Sequence, residues 1–197
     1  MRGPLVACLL GCAGAAPAAE LLRNAVQRLE DTPAGQPRYQ AEITVELAIP
    51  PERARHMLLN PAEFSHTNRS IREVAYLPGG PPGGKRIRVV SEVCILAFCF
   101  NYTNVQDMLP QTDPAALELR VVPELSDFGG GHTRWRILPQ GAGTRLEFAT
   151  VLHPTFWVPP LIGVPLMQSR AGEIALDTSL GMECEQGLAA SCAARGE

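Results

Sequence analysis

Four histidines, His56, His66, His132 and His153, are the residues best suited to acid–base or metal chemistry in this sequence, and their placement argues against both. None stands with another histidine, a cysteine or a carboxylate at a spacing that a zinc site or a catalytic dyad uses. His66 follows an expected short helix and His132 follows Gly129-Gly130-Gly131, where an exposed loop histidine is the ordinary case. The chain has no Gly-x-Ser-x-Gly elbow, no phosphate-binding loop and no His-Glu-x-x-His pattern. No catalytic residue, metal or cofactor is therefore assigned.

The cysteines offer structural chemistry instead. Cys8 and Cys12 fall in an apolar N-terminal stretch, which leaves Cys94, Cys99, Cys184 and Cys192, an even set that allows three pairings. Cys94 and Cys99 flank Ile95-Leu96-Ala97-Phe98. If that quartet is a hairpin loop, the two thiols face each other and can form a disulfide. If both lie in one continuous strand, their odd spacing puts them on opposite faces as buried free thiols. Residues 85–109 are too long for a typical single strand, which favours the hairpin and the bridge. Cys184 with Cys192 is the remaining pair, and no Cys-x-x-Cys spacing is present.

An oxidising compartment agrees with the N-terminus. Arg2 precedes an apolar stretch, and Ala16-Pro17-Ala18 supplies the small-x-small pattern that a signal peptidase cuts after, so residues 1–18 read as an export signal. The uncharged residues 3–19 fall short of the ~20 that a membrane-spanning helix needs. Leu9-Leu10-Gly11-Cys12 also resembles a bacterial lipoprotein signal with Cys12 as the lipidated residue. Few residues precede it, so a cleaved signal and a periplasmic location are the preferred reading. A formal net charge of -3 and the absence of any Lys/Arg-rich run argue against a nucleic-acid partner. With 197 residues, 46% of them hydrophobic, the chain suits one domain with a sizeable core.

The elements follow from periodicity. Leu21, Leu22, Ala25, Val26 and Leu29 recur at helical spacing, so a short amphipathic helix is expected before a Pro/Gly linker at residues 32–37. Ala41, Ile43, Val45, Leu47 and Ile49 then alternate with polar residues, a half-buried strand. Pro50-Pro51-Glu52 starts a helix, Asn60-Pro61 ends it, and residues 62–66 form a second short one. Strands are expected at residues 71–77, 86–94 and 98–108, with PGGPPGG as the turn between the first two. Alternation marks three more, around Leu117 to Val121, Thr133 to Ile137 and Leu146 to Leu152. Their charged residues read as cross-strand pairs on the wet face and receive no function. Finally, Met167, Ala171, Ile174, Ala175, Thr178 and Met182 form one stripe on a long helix starting near Pro165. Residues 148–169 are uncharged, but Pro154, Pro159, Pro160 and Pro165 argue against a membrane span.

This order resembles the START-like helix-grip superfamily, also called SRPBCC, which includes polyketide cyclase-like and coenzyme Q-binding proteins. The local texture agrees: Ile49-Pro50-Pro51-Glu52 entering the first helix, Asn60-Pro61-Ala62-Glu63-Phe64 between the helices, Ile71-Arg72-Glu73-Val74 opening the second strand, and the Gly83-Gly84-Lys85 turn. The resemblance implies an α+β fold, a curved antiparallel sheet of about seven strands around a long C-terminal helix, with two short helices between strands 1 and 2. It gives a START-like domain at residues 38–188, after the short helix and linker at 19–37 and before a flexible tail at 189–197.

The resemblance also implies a hydrophobic or amphipathic small molecule, such as a lipid, quinone or polyketide-like compound, held between sheet and helix. The dry faces then supply Phe100, Tyr102, Trp135 and Phe148 from the sheet and Met167, Ala171, Ile174 and Ala175 from the helix. Tyr102 and Asn104 are candidate polar anchors. The same side chains can equally meet as a solid core. Two apolar loops, Ile95-Leu96-Ala97-Phe98 and the segment from Thr155 through Phe156 and Trp157 to Ile162, suit a cavity mouth with Leu96, Phe98, Phe156 and Trp157 at its rim. Such lips can touch a membrane transiently, or pack on each other. The alternatives to a binding protein are a cyclase or dehydratase using the same cavity, and an envelope interaction module using the same loops.

Overall fold

The computed structural model describes residues 18–33, 35–95, 98–158, 161 and 163–196. Among these residues eight strands form a single antiparallel sheet in the order β1-β2-β8-β7-β6-β5-β4-β3. They are β1 Glu20–Leu29, β2 Arg38–Leu47, β3 Ile71–Leu77, β4 Lys85–Ile95, β5 Phe98–Met108, β6 Ala116–Val121, β7 Phe128–Gln140 and β8 Gly143–Pro154. The helices are α1 Pro51–Leu59, α2 Pro61–Phe64, α3 Gly163–Cys184 and α4 Ala189–Arg195. α1 and α2 carry the chain from β2, near one edge, to β3 at the other.

Residues 20–29 form β1, not the expected amphipathic helix. A bulge between Leu21 and Arg23 explains the misleading period: it places Leu21, Asn24 and Val26 on the inner face, so the first inward pair is three residues apart, as in a helix. Pairing with β2 runs along nearly the whole segment and, with the packing of α3 on β1, outweighs a weak helical preference. β1 is also the strand that raises the count from seven to eight, and the short helices consequently lie between strands 2 and 3.

The expected short helices follow proline chemistry. Pro51 occupies the first turn of α1, whose missing N–H costs nothing there, and Glu52 complements the helix dipole. Asn60 leaves the helical region ahead of Pro61, and its side chain caps α2 by accepting from the Ala62 N–H at 3.2 Å. Ala54, Met57 and Leu58 of α1 are buried against the sheet.

The long helix α3 lies along β1 and β2. Two glycines allow its close approach. A Cβ at Gly172 would stand 2.4 Å from the Asn24 amide, and one at Gly181 would stand 2.0 Å from the Thr67 carbonyl oxygen. Asn68, 3% exposed, donates to the Ile174 carbonyl and to Thr178, each at 2.9 Å, and ties the α2–β3 loop to the helix.

The C-terminal residues expected to be flexible are folded. α4 packs on α3, with Ser191 and Arg195 buried, and Cys192 is bonded to Cys184. The Cys94–Cys99 disulfide is present as well, its two cysteines directly opposite across the β4–β5 ladder. Outward-facing charges pair across strands as expected, among them Glu46 with Arg145, Arg136 with Glu147 and Arg86 with Asp107.

Candidate functional site

Strand register decides which side chains share the inner face. Ile43, Phe148, Trp135 and Leu117 form one row across β2, β8, β7 and β6, and Ala41, Thr150, Thr133 and Leu119 form the next. On the other half of the sheet, Val89 faces Asn104, Ser91 faces Tyr102 and Ile87 faces Gln106. The inner face therefore carries apolar walls crossed by a strip of polar residues: Ser91, Tyr102, Asn104, Gln106, Thr133 and Thr150.

Most of that strip is internally satisfied. Gln106 donates from Nε2 to the Thr133 hydroxyl at 3.1 Å, Thr133 and Thr150 share a 2.8 Å hydrogen bond, and Thr150 donates to the His132 carbonyl at 3.0 Å. The exception is Asn104, whose buried Oδ1 has no hydrogen-bond partner among the described residues. An orphaned buried acceptor costs about 1–3 kcal/mol, so its persistence asks for an explanation. Tyr102 stands next to it on the strand. Burial pushes the Tyr102 hydroxyl above its usual range, opposed by its interaction with Ser91. The phenol therefore stays protonated at neutral pH.

The anticipated ligand contacts divide by place. Trp135 and Phe148, ring centroids 4.5 Å apart, pack with Ala171 and Ala175 against the central core formed by Ile43, Leu117, Leu146 and Met182. Met167 and Ile174 are half-buried on α3. Phe100 is 38% exposed, and Tyr102 meets Phe128 edge-on at 5.7 Å. Exposure thus runs along α3. Ile49, Met57 and Met182 are fully enclosed near its C-terminal end, whereas Val89, Tyr102 and Asn104 are only half-buried toward its N-terminal end.

At that open end the β8–α3 connection meets the sheet. Phe156 packs against Phe100 at 6.0 Å and Phe128 at 5.7 Å, bridging the β8–α3 connection to β5. Trp157 is 78% exposed and Leu161 93%. Of the other anticipated rim residues, Leu96 lies outside the described residues, and Phe98 is placed by its backbone at the start of β5. Ser91, Gln106, Thr133 and Thr150 received no role from the sequence. The available signal was a polar residue at a dry-face position of an alternating strand, and a hydroxyl there is common enough to pass unnoticed.

The histidines are elsewhere. His66 and His132 are exposed, and His153 is half-buried on the outer face, its pKa lowered first by burial and then by the positive Arg38 and by His132. His132 borders an open groove of about 420 Å³ on the outer face, lined also by Gln40, Glu118, Arg120 and Arg134. Leu119, Thr133 and Thr150 of the inner rows line it as well. Among the described residues no group of histidines, cysteines and carboxylates is arranged to hold a metal.

No protein-family model matches the sequence. Nor does a search of curated proteins find a match. Solved structures do resemble it. A START superfamily protein from Mycobacterium smegmatis superposes with a TM-score of 0.58 at 18% identity, over 74% of this chain and 95% of its own. A STAR-related lipid transfer protein from Xanthomonas axonopodis gives 0.56 at 11% identity over 84% and 99%. The Zhui aromatase/cyclase from Streptomyces sp. R1128 gives 0.55 at 16% identity over 75% and 93%. With its antiparallel sheet, its two short helices between β2 and β3 and its long helix α3, the chain has the START-like helix-grip fold.

Proposed function

We propose that this protein binds a hydrophobic or amphipathic small molecule in the space between the inner face of β4–β8 and α3, entering past Phe100 and Phe156. The observation that carries the reading is the unpartnered Asn104 Oδ1, a buried acceptor beside the protonated Tyr102 hydroxyl in otherwise apolar walls. A ligand with one polar end and an apolar body satisfies both requirements: its donor meets Asn104, its acceptor meets Tyr102, and its body replaces water along Val89, Trp135 and Phe148. A lipid, a quinone or a polyketide-like compound has this character, and the STAR-related lipid transfer and aromatase/cyclase neighbours share the fold. The walls named from the sequence, Phe100, Tyr102, Trp135, Phe148, Met167, Ala171, Ile174 and Ala175, belong to this proposal. So do the exposed Trp157 and Leu161 as the place where a delivering membrane or carrier would touch.

A binding role is favoured over acid–base catalysis by the strip itself. Its members are hydroxyls and amides, and its one titratable group, Tyr102, is held protonated. Export to an oxidising compartment is part of the reading, supported by the two disulfides. The test is native mass spectrometry of protein purified from its own envelope, followed by organic extraction. A reproducible co-purifying amphiphile is expected. An apo protein whose melting temperature ignores lipids, quinones and aromatic polyketides alike would reject it.

A further inference from the structure

Glu183, in the last turn of α3, is fully buried, and three neutral donors converge on it. The Ala48 N–H donates to Oε1 at 2.5 Å, the Ala19 N–H donates to Oε2 at 2.9 Å, and the buried Ser191 hydroxyl donates to Oε2 as well. These donors come from the β2–α1 junction, the start of β1 and α4, so one carboxylate joins three elements. Burying a carboxylate is expensive unless a positive charge or several strong donors compensate it. One of the three atoms has a second chemical state. The Ala19 nitrogen is an amide only while the Ala18–Ala19 peptide bond is intact.

We propose that the Ala18–Ala19 bond is a processing site and that Glu183 is the counter-ion of the N-terminus it releases. The inference rests on the exported reading, in which Ala16-Pro17-Ala18 is the cleavage pattern of a signal peptidase. Hydrolysis breaks the Ala18 C–N bond. Water supplies the hydroxyl that makes Ala18 a carboxylic acid and the hydrogen that makes the Ala19 nitrogen an amine, which is protonated below its ordinary pKa of ~7.7–8.0. The ammonium forms at the atom that already lies 2.9 Å from the carboxylate, so no rearrangement is required and a neutral hydrogen bond becomes a charge-assisted one. If cleavage comes before folding, the amine takes up this same place as the chain folds, and the bond need not be accessible in the folded chain. Other charges on the adjoining elements have partners of their own or face water. Arg195 of α4 and Arg69 of the α2–β3 loop pair with Asp177, Glu46 of β2 pairs with Arg145, and Glu20, Glu52 and Glu185 are exposed. The consequence is directional: loss of the leader turns the existing hydrogen bond between the start of β1 and the end of α3 into an ion pair.

Two measurements test this separately. Intact mass and N-terminal sequencing of protein from its own envelope should give a chain beginning at Ala19. A chain beginning at a lipidated Cys12, or still bearing Met1, would overturn both the processing site and the cleaved-signal reading. Independently, the chain beginning at Ala19 is prepared with a free and with an acetylated α-amine, each in the native and the E183Q background. The free amine should melt about 2–4 °C higher below pH ~7. A pair with Glu183 raises the amine pKa in the folded state, so this advantage should be complete below the unfolded pKa and vanish as pH rises through the folded one. It should be absent in E183Q. Equal melting of free and acetylated chains at every pH would overturn the ion pair even where processing at Ala19 is confirmed. If E183Q does not fold, NMR titration of the α-amine decides: a pKa at or below ~8 overturns the proposal, and one clearly above it supports the pair.

Discussion

Asn104 and Tyr102 are adjacent members of the inner face of β5, yet their environments make opposite demands. The Asn104 acceptor is buried without a partner, while the Tyr102 hydroxyl is favoured in its neutral form by burial. Replacing Asn104 with Leu removes a group whose burial costs about 1–3 kcal/mol and puts an apolar side chain of similar size in its place. Urea unfolding of the empty Asn104→Leu protein should show stability unchanged or raised, and affinity for the co-purifying ligand should fall about tenfold or more, the ~1.4 kcal/mol of one lost hydrogen bond. A ligand-free protein destabilised by this change would mean that the acceptor serves the fold. Tyr102 makes a pH prediction. Its folded pKa lies above the unfolded value of ~10, so above that pH the unfolded state has released the proton and the folded state has not. Stability should therefore fall as pH rises beyond ~10, and Tyr102→Phe should remove that part of the alkaline slope, read by thermal unfolding alongside phenolate absorbance.

Elements were legible in the sequence where one face is wet and one dry. β2, β6 and β8 announce themselves by strict alternation, and α1 by Pro51, Glu52 and Asn60-Pro61, because both signals are local. β1 was not legible, since its bulge breaks the period of two and its partner lies elsewhere in the chain. The polar strip was half legible. Alternation put Thr133 and Thr150 on the dry side and singled out Tyr102 and Asn104, but the links among Gln106, Thr133 and Thr150 depend on the register between β5, β6, β7 and β8, which no local pattern encodes. α4 was missed because it is too short to carry a periodic stripe, and is held by its disulfide and by Glu183. At this scale Gly181 is the sharpest test of how α3 is seated. Alanine would normally strengthen a helix interior by up to about 1 kcal/mol, but here the methyl would stand 2.0 Å from the Thr67 carbonyl oxygen. Overpacking should win, so Gly181→Ala should lower the unfolding free energy by about 1–3 kcal/mol in urea titration. The contrasting Gly187→Ala meets open space and pays only for its positive φ of 78°.

For the molecule as a whole, the gradient of burial along α3 favours one way into the proposed binding space. The end of the proposed binding space near Met182 is closed by Ile49, Ala54 and Met57, all 1% exposed or less, and by the close approach of Gly181 to Thr67. Among the described residues, the other end carries a cluster of aromatic rings, with Phe156 touching both Phe100 and Phe128. Each such ring pair is worth about 0.5–1.5 kcal/mol beyond its buried area, small enough to open on the time scale of loop motion. A ligand leaving by this route must separate Phe156 from its neighbours, whereas Trp157 faces solvent and is outside that contact. Phe156→Ser removes both ring pairs and should raise the dissociation rate of an apolar fluorophore about tenfold in stopped-flow displacement, since the ~1.4 kcal/mol that a tenfold change represents is within what two pairs supply. Trp157→Ser should leave that rate in solution unchanged. Equal rates in the native protein and Phe156→Ser would place the exit elsewhere, and acceleration by Trp157→Ser alone would move the gate from the ring cluster to the exposed tip of the loop.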